Sequence, residues 1–152
     1  RTFTEIENIV FDRIADSPAT CGIKASCIYS GGALTVSARV KSSTGGKYDI
    51  GFAVLKDNCV PGGNAHEEVY NDVVIAMTGN YYNMSSDSFT LAEGGESAEV
   101  SHTISLKLDG DQKDYSVVAY ALKQNGNDVA IDNIVEVAFG KSVDYVYNPE
   151  NE

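Results

Sequence analysis

Tryptophan is missing from this 152-residue sequence, which also holds only three cysteines, three prolines, two histidines and two methionines. Without Trp the commonest stacking platform for sugar rings is gone, and with only His66 and His102 there are few ways to build a nucleophile–base couple. An odd cysteine count (Cys21, Cys27, Cys59) permits one disulfide at most, which excludes a disulfide-framework fold, and no C-x-x-C pair is present. Basic residues are scarce as well. Eleven Lys and Arg stand against 22 Asp and Glu, a net charge of −11 with no basic cluster, so phosphate backbones and anionic headgroups are repelled. That excludes nucleic acid as a partner class. No apolar run approaches the ~20 residues of a membrane helix, so no direct membrane insertion is expected.

What is present is the usage of a β protein: 14 Gly, 9 Tyr and many Val, Ile, Ser and Thr. The run Lys47 to Asn58 (KYDIGFAVLKDN) is the organising stretch. Tyr48, Ile50, Phe52 and Val54 fall on one face and Ala53 and Leu55 on the other, so it reads as a central strand, buried on its major face and half covered on its minor one.

Before it, Cys21, Ile23, Ala25, Cys27 and Tyr29 alternate with polar residues. Ser30-Gly31-Gly32 then turns the chain into Leu34, Val36, Ala38 and Val40, a hairpin. Cys21 and Cys27 share one face of that strand, about 20 Å apart, too far to bond to each other. A bridge from either to Cys59 stays open beside the reading of plain buried thiols. After the central strand come Val69 to Thr78, with Val73, Ile75 and Met77 opposite Val74 and Ala76, then an irregular stretch, Gly79 to Asp87. The alternating run Ala98, Val100, His102, Ile104, Leu106 follows. Tyr115 to Leu122 is apolar on both faces, Asn125-Gly126 marks a hairpin turn, and Val129 to Phe139 is read as the last strand.

The one helical signal lies at residues 2–16. Thr2 and Thr4 each precede a Glu by three residues, and Phe3, Ile6, Val10 and Ile14 recur at helical intervals up to Ser17-Pro18. The expected architecture is therefore all-β: an immunoglobulin-like antiparallel sandwich of about seven strands over residues 19–147. A short N-terminal α-helix or linker (1–18) precedes it and a disordered tail (148–152) follows. The chain starts on Arg1 without a signal segment, which reads as a mature or excised fragment whose targeting information lay upstream.

No motif specifies catalysis. His66-Glu67-Glu68-Val69-Tyr70 starts like a zinc-protease helix but has Tyr where the second His belongs. Asp109, Asp111 and Asp114 resemble the opening of a calcium loop without its glycine or its closing carboxylate. Thr44-Gly45-Gly46-Lys47 lacks the spacing of a phosphate loop and reads as a turn. His102 alternates with Val100 and Ile104 as a strand-face histidine. No catalytic residue, metal site or cofactor is expected. The binding candidates are Tyr81 and Tyr82, with the loops 59–70 and 79–90, for a glycan or a surface protein.

YDIGFAVLKDN followed by VYNDVVIAMTG resembles a paired signature of the twenty-eight-kilodalton outer-membrane-protein-related family of Bacteroidetes lipoproteins. In that family a strand ending Leu-x-Glu-Asp precedes a Tyr/His-Asn-x-Val-Leu-Arg strand. AxxGIKAxxxYSGGALTVSARV resembles its entry hairpin and DYSVVAYALKQNGNDVAIDNIVEVA its closing one, so the likeness runs from about Thr20 to Ala138. Lys56-Asp57 departs from Glu-Asp, the glutamine usual in the following loop is missing, and Ile75 stands in place of the arginine. The resemblance implies the C-terminal domain of a lipoprotein at the outer membrane, cell surface or periplasm of a Gram-negative bacterium. It also implies a thioredoxin-like partner domain and a lipid anchor upstream of Arg1, and a non-enzymatic interaction or spacer role for this segment.

Overall fold

The computed structural model describes residues 19–57, 73–78, 83–108 and 112–146. They form nine strands: β1 (Cys21–Ser30), β2 (Ala33–Ser42), β3 (Gly46–Lys56), β4 (Val73–Thr78), β5 (Phe89–Leu91), β6 (Val100–Ser105), β7 (Tyr115–Asn125), β8 (Asp128–Ala138) and β9 (Ser142–Val146). One sheet has the order β6-β2-β1-β9. The other runs β4-β3-β7-β8, with β5 also pairing β3, and every pairing is antiparallel. The chain is an all-β sandwich. β2 and β6 pair in one sheet while β3 and β7, which follow them in sequence, pair in the other, the interlocked crossing of immunoglobulin-like sandwiches. The helix read at 2–16 and the tail at 148–152 lie outside the described residues.

Local chemistry sets the turns. Gly31 (φ 59°) and Gly32 (φ 80°) are the two central residues between the paired Ser30 and Ala33, the double left-handed turn that matches strand twist. At the second hairpin Asn125 pairs with Asp128, so the turn is Gly126-Asn127, one residue later than Asn125-Gly126. Asparagine tolerates the left-handed region almost as glycine does, which makes the two registers hard to separate by composition.

β3 is central, as its pattern implies, but both faces are closed. Tyr48, Phe52 and Val54 point into the inter-sheet core, while Ala53 and Leu55, expected to be half covered, are 1% exposed. They belong to a second apolar cluster on the outer face of the β4-β3-β7-β8 sheet, with Val118, Tyr120, Leu122, Ile131 and Ile134. Burying a side chain of this size contributes ~1.5–3 kcal/mol, so this sheet is stabilised from both sides.

Two strands escape the alternation rule. β4 shifts register against β3 between Val54 and Leu55, so Val74 and Met77 both pack on the outer cluster, Ala76 packs on the core and Ile75 is exposed. The expected Val73/Ile75/Met77 face is split by this bulge. β9 was not anticipated beyond Phe139. It crosses to the other sheet after Gly140 (φ 79°) and pairs with β1 through another shift, which breaks its period.

Candidate functional site

Among the described residues the densest polar constellation surrounds Thr20, immediately before β1. β8 bulges at Asp132, because Ala121 pairs with Asn133 and Leu122 with Ile131. The bulge turns the Asp132 carboxylate toward the start of β1. Oδ2 accepts from the backbone N–H of Thr20 (2.9 Å) and of Cys21 (3.0 Å), and Oδ1 accepts from Thr20 Oγ1 (3.1 Å). Since the Thr20 hydroxyl has one proton, and donates it to Asp132, it accepts from Tyr48 Oη (2.8 Å) and from Lys123 Nζ (2.8 Å). Tyr48 in turn accepts from Ser42 Oγ (2.7 Å), and Ser42 accepts from Gly45 N (2.7 Å).

Each hydroxyl therefore hands its proton toward the carboxylate, and such a chain polarises and strengthens its members. Lys123 Nζ also reaches Thr44 Oγ1 (3.1 Å) and lies 5.4 Å over the Tyr48 ring. The neighbouring Asn133, fully buried, donates to Cys21 O (2.9 Å) and accepts from Ile134 N (2.9 Å). Three strands of the opposite sheet, β3, β7 and β8, thus grip the same two residues of chain. The cluster holds protons in place rather than moving them.

A second polar site sits at the edge of β3, between the stretch paired by β4 (Phe52–Lys56) and the stretch paired by β5 (Gly46–Tyr48). A cavity of about 140 Å³ there is lined by Asp49, Asp87 and His102 among others. Both Asp49 oxygens are engaged, Oδ1 by Ile50 N (2.9 Å) and Oδ2 by Ser85 N (2.6 Å). His102 packs edge-on against Phe52, ring centroids 5.9 Å apart, as its strand-face position implies. This carboxylate therefore anchors a loop. Burial, helped by Asp49, pushes the Tyr120 phenol well above its ordinary value.

Of the residues singled out in the sequence, Tyr81, Tyr82, His66, Cys59 and loop 59–70 lie outside the described residues. Asp114 closes a short 3₁₀ turn, and its carbonyl accepts from Asp57 N (2.7 Å). Thr44 and Gly45 lie in the turn that links β2 to β3, and Gly46 and Lys47 open β3. The Thr20 cluster was missed. Its one legible trace is Asp132-Asn133, two polar residues where the alternation of β8 calls for one.

Cys21 and Cys27 are free and buried. Burial, reinforced by the Asp132 carboxylate, raises the Cys21 thiol well above its ordinary value of 9.0. Burial also raises Cys27, partly offset by backbone N–H groups of Gly140 and Lys141. Raised folded values mean that the fold favours the neutral thiol. That stability is fully present below the unfolded value and is lost as pH rises from it through the folded values. Two outcomes are expected: native protein resists alkylation at both positions until denaturant is added, and its melting temperature falls above about pH 9, less so in Cys21→Ala. Mass spectrometry of the alkylated peptides and a pH series of melts check them.

Comparison with family models, curated proteins and solved structures finds no match to this chain.

Proposed function

We propose that this chain is the sandwich domain of a lipid-anchored bacterial envelope protein, acting as a non-enzymatic interaction or spacer module at its C-terminal side. The observation that carries the reading is the Thr20 cluster. A spacer must fasten the segment that arrives from its neighbour, and here that segment is held at its first strand residues by a carboxylate, a lysine and a tyrosine drawn from β3, β7 and β8. Three of the four stretches that resemble the lipoprotein family support it too. Each coincides with one structural unit: the β1–β2 hairpin, central β3, and the β7–β8 hairpin.

The upstream partner is then a further domain of the same parent, thioredoxin-like by the resemblance, and the lipid anchor precedes it. Pulling tests the mechanical part. With the chain held at residue 1 and at residue 146, Asp132→Ala should lower the unfolding force and add an early extension as β1 peels away. An unchanged force would count against the fastening role.

A further inference from the structure

The outer face of the β6-β2-β1-β9 sheet carries a feature unrelated to the Thr20 cluster. Ser142, Ser26, Ser37 and Ser101 stand in one register across all four strands: Ser26 pairs with both Ser142 and Ser37, and Ser37 pairs with Ser101. Ser37 and Ser101 hydroxyls hydrogen-bond at 3.1 Å. The next row toward the β1 start is long and charged. Lys24 is directly opposite Arg39, Asp144 lies in the bulge of β9 beside Lys24, and Glu99 precedes Val100, the partner of Ala38. On the other side stand Ile28, 65% exposed, and its partner Thr35.

The serine row and the charged row enclose a trough with the backbone of Ala25, Ala38 and Val143 between them, running across the strands for about 14 Å from first to fourth at the usual spacing. A cavity of about 330 Å³ lies in it, lined by Lys24, Ser26, Ser37, Arg39, Glu99 and Asp144. That volume is in the range of small-ligand sites.

Like charges directly opposite each other on a sheet are unfavourable, and Lys24 with Arg39 is such a pair in a chain of net charge −11. Arg39 Nη1 donates to Ser97 O at 3.4 Å, and an anion between the two cations relieves the repulsion that remains. The floor of hydroxyls, each both donor and acceptor, matches a ligand that is itself polyhydroxylated, and Glu99 and Asp144 at the ends of the wall accept from further hydroxyls. An extended peptide fits less well. Peptides that bind sheets add to an edge, whereas β1 and β2 are paired on both sides.

We propose that this trough is a binding site for a linear acidic saccharide, with the carboxylate of a uronic acid residue held between Lys24 and Arg39 and the serine row beneath its hydroxyls. The site is on the sheet face and stands whether or not the chain belongs to a lipoprotein.

Titration of the full chain with tetragalacturonate, followed by amide chemical shifts at low salt, tests it. Saturable shifts are expected at Lys24–Ser26, Ser37–Arg39, Ser101 and Ser142–Asp144, weakening as salt is added. Lys24→Gln with Arg39→Gln should cut affinity at least about tenfold, and Ser37→Tyr, which fills the floor, should abolish binding. These positions face outward, so melting temperature should stay close to that of the parent and report that each variant is folded. The proposal is overturned by an absence of saturable shifts, by equal affinity for a neutral tetraglucoside, by tighter binding of tetraglutamate, or by full affinity in the charge variant.

Discussion

Asp132→Ala is expected to cost about 2–4 kcal/mol of folding stability, a large share of what a single domain has. Its carboxylate accepts three hydrogen bonds at 2.9–3.1 Å, two of them from the backbone N–H groups of Thr20 and Cys21. Hydrogen bonds to a charged group contribute ~1.5–3 kcal/mol each, but the site is only partly buried and water replaces the lost acceptor for part of them, so the net loss is about half the three-bond sum or less. Removing the acceptor also frees the Thr20 hydroxyl proton and so weakens the relay through Tyr48 and Ser42. For a chain of this size the loss corresponds to a fall in melting temperature of roughly 10 °C. Urea titration measures it. Asp132→Asn keeps one acceptor oxygen and should lose about half as much, and the double variant with Thr20→Ala should be less destabilised than the two losses summed, because both act on one network. A change below ~1 kcal/mol for Asp132→Ala would show that the cluster does not hold β1.

Gly51→Ala should be as damaging, for a steric reason. A Cβ at residue 51 would lie 2.2 Å from Tyr120 Cζ and 2.3 Å from its oxygen. Gly51 pairs directly with Tyr120, and the ring, 1% exposed, packs over the glycine on the outer face of the sheet. The clash is with the phenol end of a ring that packing holds in place, so the ring or the strand must move. Overpacking of this kind costs ~1–3 kcal/mol and more where the neighbour is confined, so about 3 kcal/mol is expected. Tyr120→Ala alone leaves a cavity costing ~3–5 kcal/mol. In the double variant the new methyl enters that space, and the combined loss should fall short of the sum by ~2 kcal/mol. Additive losses would mean that the ring does not depend on the glycine.

The sandwich was legible where a single rule governs a stretch of chain. The alternation of β1, β2, β6 and β7 placed their inward residues, and the turn glycines placed the first hairpin. What was not legible comes from places where two elements negotiate. The bulges at Asp132, at Ile75 and in β9 each insert a residue that period-2 reading cannot see, and β5 is three residues long. The Thr20 cluster joins residues up to 112 positions apart, so no local pattern announces it. The serine trough is invisible for the same reason: Ser26, Ser37, Ser101 and Ser142 are ordinary solvent-face residues until four strands are aligned. By contrast, the tyrosines at strand ends do what their positions imply. Tyr29 and Tyr115 stack on Phe139 at 5.9 and 5.6 Å and close one end of the core.

We propose that this sandwich is one part of a lipid-anchored envelope protein, fastened to its neighbour at Thr20. The most direct test is the intact mass and N-terminal sequence of the native protein recovered from the membranes of its source. A longer chain with a lipid-modified N-terminus and a thioredoxin-like domain upstream of Arg1 is expected. A native chain close to this length and without lipid would contradict it.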